Sequence, residues 1–189
     1  MAELRDEPFT PEVVSSELVY AGRVWDVRSD TVRYGDGEIV RDYVDHPGAV
    51  AVVAVDEQGR VLLIQQYRHP IRHRNWEVPA GLLDVPGERP VQAAQRELAE
   101  EADLAASRWD DLVSIFTTPG GNDEVIHLFL ARDLRPVGET FAREEEEADI
   151  RMEWVPLSEA VEAVLAGRMH NGILAVGVLA AAERLRRED

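Results

Sequence analysis

Hydrophobic and polar positions follow several distinct patterns along the chain. Residues 1–15 carry no sustained period and are expected to be loosely structured. From Leu18 to His46 the pattern is strand-like. ELVYAGRVWDVRSDTVRY and EIVRDYVDH are joined by YGDGE, and an Asp-Gly between alternating runs is a hairpin signal. AVAVVAV (Ala49–Val55) and VLLIQQY (Val61–Tyr67) are β-branched and unbroken, the pattern of central strands covered on both faces. WEVPAG is expected to be one short strand ending in a turn. The period then changes. Val91, Ala94 and Leu98 recur at i, i+3 and i+7, which predicts a helix from Pro90 to Ala102 with its proline in the tolerated first turn. Arg89 is a poor N-cap, so the preceding loop must hold the helix start. DDLVSIFTT and EVIHLFLARDL read as strands around PGGND, GETFAREEEEAD as a polar, mobile loop, and IRMEWVPL as a further strand. SEAVEAVLAG and NGILAVGVLAAAERLRR are expected helices, the first opened by Ser158 as its N-cap.

Strands, one helix, more strands and then helices make an α+β order, a mixed α/β/α sandwich rather than a doubly wound sheet. The expected division is an N-terminal antiparallel β extension over residues 1–46 and a main domain with C-terminal helices over residues 47–189.

Composition narrows the chemistry. The chain has 189 residues, of which 20 are basic and 37 acidic, a net charge of −17. Such a field repels phosphates, so neither nucleic acid nor an anionic membrane is an expected partner, and a phosphorylated substrate would need cations to mediate the encounter. There is no cysteine, which excludes disulfides and thiolate catalysis. The polar N-terminus and the lack of a long apolar run point to a cytoplasmic protein. Every basic residue other than His is Arg, a hint of a GC-rich bacterial genome.

The helix over Pro90–Ala102 carries an unusual face. At 100° per residue, Glu97 and Glu101 lie about 40° apart and Glu100 about 60° to the other side of Glu97. Glutamates so placed repel by roughly 0.2–0.5 kcal/mol per pair. A run of acids is the common signature of a solvated face. Here, however, Glu88 lies in the loop before the helix, Arg96 is placed to pair with a carboxylate, and a buried-looking strand leads into that loop. Oxygen ligands without His or Cys suit Mg²⁺ or Mn²⁺ rather than zinc.

Gly81, Glu88, Arg96-Glu97-Leu98, Glu100-Glu101 and Leu104 together resemble the Nudix box. Two positions depart from it: six residues rather than five separate Gly81 from Glu88, and Asp103 replaces the terminal glycine. Neither departure touches a ligand position, and both bear on loop geometry alone. The resemblance implies a Nudix-type fold and metal-dependent hydrolysis of a nucleoside diphosphate linked to another group. It implies Glu97 and Glu101 as principal metal ligands, Glu100 as a ligand or supporting group, and the backbone carbonyl of Ala80 completing the site. It also implies that Arg96 holds Glu88 or Glu97 in place.

QQYRH, WEVPAG and TTPGGNDE, with Pro119 about fifteen residues past the box, resemble the ADP-ribose pyrophosphatase branch. That branch implies a homodimer in which the N-terminal strands are exchanged. It further implies Arg41 and Arg68 on the substrate diphosphate, Trp25 stacking on adenine from the partner subunit, and Glu124 at the ribose or a loop. An essential carboxylate, either the general base or an additional metal ligand, would be Glu147, with Glu146 next, in the EEEEAD segment. Two other readings share the motif: the same hydrolysis of another nucleotide sugar such as a GDP-sugar, and a non-catalytic nucleotide sensor.

Overall fold

The most apolar runs become the innermost strands. The computed structural model describes residues 3–138 and 150–188, which fall into two compact units. The first comprises Met1–His46 with Thr118–Asp123, the second Pro47–Thr117 with Glu124–Asp189.

The first unit is a three-stranded antiparallel sheet in the order β1 (Val13–Ala21), β2 (Asp26–Tyr34), β3 (Gly37–Asp45). The expected hairpin forms between β2 and β3, with Gly35-Asp36 rather than the Asp-Gly pair as its two-residue turn, since Tyr34 already pairs with Gly37. The first strand differs from expectation. Ordered pairing begins at Val13, inside the segment expected to be loose, and the run from Leu18 to Tyr34 is two strands rather than one. The chain breaks at Gly22, whose Cα packs so close to the Trp25 carbonyl that a Cβ would lie 2.0 Å from that oxygen. Every residue of β1 is exposed, so its start leaves no burial alternation to read.

The second unit is built on β4 (Ala49–Ala54), buried at every position. It is central in a four-stranded sheet of order β7 (Ala80–Leu82), β4, β9 (Val125–Pro136), β8 (Leu104–Phe116), where β4 and β9 are parallel. A three-stranded antiparallel sheet orders β10 (Arg151–Pro156), β5 (Arg60–Arg68) and β6 (His73–Glu77). Apolar residues of β4 and β9 alternate between two cores. One cluster packs Val50, Val52, Ala54 and Phe129 against helix α1 (Pro90–Ala102). The other packs Ala51, Val53 and Leu128 against residues of helices α2 (Leu157–Leu165) and α3 (Gly172–Arg186). This is the expected α/β/α sandwich.

WEVPAG is not one strand. Glu77 ends β6 in one sheet and Ala80 begins β7 in the other, with Val78 and Pro79 as the crossing. Proline has no N–H for a ladder, which favours a break there, although its carbonyl still accepts from Val52 N–H at 2.8 Å. Ser158 is not an N-cap: α2 begins one residue earlier, behind Pro156, with no side-chain cap. Asn171 does cap α3, its side chain accepting from Leu174 N–H at 2.9 Å. Among the described residues no helix is long and apolar enough to cross a membrane.

At Gly177 helix α3 lies close against the sheet. An added Cβ would lie 2.9 Å from Val53 Cγ2 and 3.0 Å from Leu128 Cδ2. Overpacking of this kind costs about 1–3 kcal/mol, whereas the helix propensity recovered on leaving glycine is at most about 1 kcal/mol. Gly177→Val, which recovers less propensity and adds more bulk than Ala, is therefore expected to lower the unfolding midpoint in urea. An unchanged midpoint would show that α3 can shift away from the sheet.

Candidate active site

The loop between β7 and α1 sets the site. Its extra residue is absorbed by a turn: Glu88 N–H donates to the Val85 carbonyl at 3.1 Å, with Pro86 second and Gly87 third at φ +81°. The helix starts as expected without a capping Arg89 side chain; instead the Gln92 Oε1 accepts from Arg89 N–H at 3.2 Å. At the other end Asp103 takes the left-handed conformation (φ 55°), doing what the box glycine would do.

Helix α1 packs on β4, so its apolar stripe is buried and the glutamate face meets β7. Glu101, 4% exposed, accepts from Ala80 N–H at 2.9 Å. Glu97, its side chain 12% exposed, lies against the Cα of Gly81, where a Cβ would come within 2.0 Å of its carboxylate carbon. Glycine at 81 is thus a steric requirement of Glu97. Arg96 stands among the acids. Its Nη1 donates to Glu97 Oε1 at 2.5 Å and to Glu100 Oε2 at 3.1 Å, while Nη2 donates to Glu88 Oε2 at 3.1 Å. The hydrogen bond to Glu88, then the charge of Glu97 and the hydrogen bonds to Glu97 and Glu100, raise the Arg96 pKa well above its ordinary value, so it stays a cation at any working pH.

These groups share a cavity of about 360 Å³, lined by Ala80, Gly81, Glu97, Glu100 and Glu101 with Arg96 and Arg68. Asp84 and Gln66 also line it and were not anticipated from the sequence. Among the described residues no three His, Asp or Glu side chains converge as a ready-made metal cage. The donors nonetheless fit a hard divalent cation. They are all oxygens, and Gly81 leaves the space that the Glu97 carboxylate fills. Mg²⁺ is also usually held by one or two carboxylates with waters and substrate phosphates rather than by an all-protein cage.

The remaining expected residues are placed elsewhere. Glu124 accepts from Thr117 Oγ1 at 2.5 Å and is not among the residues lining this cavity. Trp25 and Arg41 belong to the N-terminal unit. There Trp25, 48% exposed, stacks at 34° on His46 with ring centroids 5.5 Å apart, and Arg41 donates to the Val40 carbonyl at 2.8 Å. Glu146 and Glu147 lie outside the described residues.

Comparison with known proteins adds a second line of evidence. The NUDIX domain family matches residues 45–174. The chain is 48% identical over 170 residues to an ADP-ribose pyrophosphatase of Mycobacterium tuberculosis, covering 89% of this chain and 82% of that one. It is 36% identical over 154 residues to an ADP-ribose pyrophosphatase of Bacillus subtilis, covering 81% and 82%. A crystal structure of an ADP compounds hydrolase superposes with a TM-score of 0.80 over 97% of this chain and 98% of that one. At 21% identity, that match establishes a shared fold.

Proposed function

The chain belongs to the Nudix hydrolase family, and from that membership we propose that it hydrolyses the pyrophosphate bond of ADP-ribose to AMP and ribose 5-phosphate. The observation that carries this reading is the gathering of Glu97, Glu100, Glu101, Arg96 and Arg68 around one cavity, in a chain whose similar relatives bear the name ADP-ribose pyrophosphatase.

Nudix hydrolases are generally dependent on divalent metals. Mg²⁺ is the proposed ion here, with Mn²⁺ as the alternative, held by Glu97, Glu100, Glu101 and the Ala80 carbonyl. A divalent cation bound there supplies charge neutralisation to the diphosphate and acidifies water. Arg68 and Arg41 bind the diphosphate oxygens, for which the guanidinium fork is well shaped. Glu147, or failing it Glu146, takes the proton of the attacking water as the P–O–P bridge opens and the bridging oxygen leaves with the other phosphate. Arg96 ties Glu88, Glu97 and Glu100 to one cation and so offsets their mutual repulsion. The proposal also includes a homodimer with exchanged N-terminal strands, Trp25 of the partner subunit stacking on adenine, Glu124 at the ribose, and a cytoplasmic location.

The same chemistry on a GDP-sugar is the competing reading. Comparing kcat/KM across ADP-ribose, GDP-mannose and other nucleotide sugars separates the two. The expected result is the highest value for ADP-ribose, and a higher value for a GDP-sugar would reverse the assignment.

A further inference from the structure

One buried acid beside the cavity is left unexplained by the box. Glu77 ends β6 opposite Ile64 and is 5% exposed. A carboxylate is costly to bury unless it is paired and hydrogen-bonded. Its partners are both on β5. Arg68 donates from Nε to Glu77 Oε1 at 2.9 Å and from Nη2 to Oε2 at 2.7 Å. The buried amide of Gln66 donates to Oε2 at 3.4 Å. The hairpin of β5 and β6 creates this cluster, because its register places Gln66 and Arg68 two and four residues beyond Ile64, the partner of Glu77.

A strand position this buried is filled more cheaply by an apolar side chain, and Arg68, whose side chain is 43% exposed, could then be solvated alone. The acid therefore calls for a reason beyond packing. Arg68 and Gln66 line the same cavity as the box glutamates, whereas Glu77 is not among its lining residues. A long cationic side chain left to itself samples many rotamers and loses that freedom on meeting an anion. The two-point bond to Glu77 fixes the plane and direction of the guanidinium beforehand.

We infer that Glu77 is a positioning residue, holding Arg68 from the protein interior in the orientation in which it meets the substrate diphosphate. This rests on the reading of Arg68 as a diphosphate ligand. The test is titration calorimetry of ADP-ribose binding in EDTA, which needs no turnover, on the full chain and on Glu77→Gln, Arg68→Ala and the double variant. Thermal unfolding is followed in parallel. Arg68→Ala is expected to weaken binding by about ten- to a hundredfold, and Glu77→Gln by about tenfold. The double variant is expected to bind no more weakly than Arg68→Ala, because Glu77 acts only through Arg68. In Mg²⁺ the Glu77→Gln loss is expected in KM, with kcat within about twofold of the parent.

Unchanged binding in Glu77→Gln, or a loss that adds in full to that of Arg68→Ala, overturns the inference. Unchanged binding in Arg68→Ala overturns the diphosphate role of Arg68 and the inference with it. Should Glu77→Gln not fold, Arg68→Lys decides. It keeps the charge but not the fork, so a loss of about tenfold supports positioning and parent-like binding overturns it. Failure of the parent to hydrolyse ADP-ribose at all would count against the proposed function alone.

Discussion

Glu97→Gln is expected to lower kcat on ADP-ribose by on the order of 10²–10³-fold while leaving the thermal unfolding transition near that of the parent. The substitution is isosteric, so the amide occupies the space beside Gly81 without a clash. It removes the negative charge from a group whose side chain is only 12% exposed, where the local field is strong. The fold is protected because Arg96 keeps Glu88 and Glu100 as partners and no cation is stranded. Two measurements check this: kcat with saturating Mg²⁺, and circular dichroism through the melt. Full turnover in a folded variant would remove Glu97 from the site.

Glu147→Gln is expected to lower kcat by on the order of 10²–10⁴-fold, the range for loss of a general base, with KM little changed. A base must be unprotonated to act, so the rate of the parent rises with pH along its acid limb. In the variant that limb flattens, because no carboxylate at 147 remains to titrate. Glu146→Gln is expected to keep most of the activity. A larger loss at 146 transfers the role to that residue, and loss at neither removes the base from this segment.

The acidic helix was legible in the sequence because two independent signals agreed, Pro90 at its start and the stripe of Val91, Ala94 and Leu98; Asp103, a departure from the box, nevertheless adopts the left-handed conformation of the glycine it replaces. The buried β4 was legible for a similar reason, since an unbroken β-branched run has few other uses. The failures were of pairing. WEVPAG reads as one apolar strand, and only the tertiary fold shows Pro79 handing the chain from one sheet to another. Val13 begins a strand with no buried face, where periodicity carries no information. Ser158 has the right chemistry for a cap, but the helix starts two residues too early for it to serve. The pairing of Glu77 with Arg68 depends on hairpin register, which the linear pattern does not state. An acid among the apolar residues of WEVPAG was its only trace.

The most direct test of the account is hydrolysis of ADP-ribose in ¹⁸O-water with Mg²⁺, with products analysed by mass spectrometry. AMP and ribose 5-phosphate are the expected products, with one ¹⁸O in one of the two phosphates marking the phosphorus attacked. Intact ADP-ribose after incubation of folded protein with Mg²⁺, and again with Mn²⁺, would contradict it.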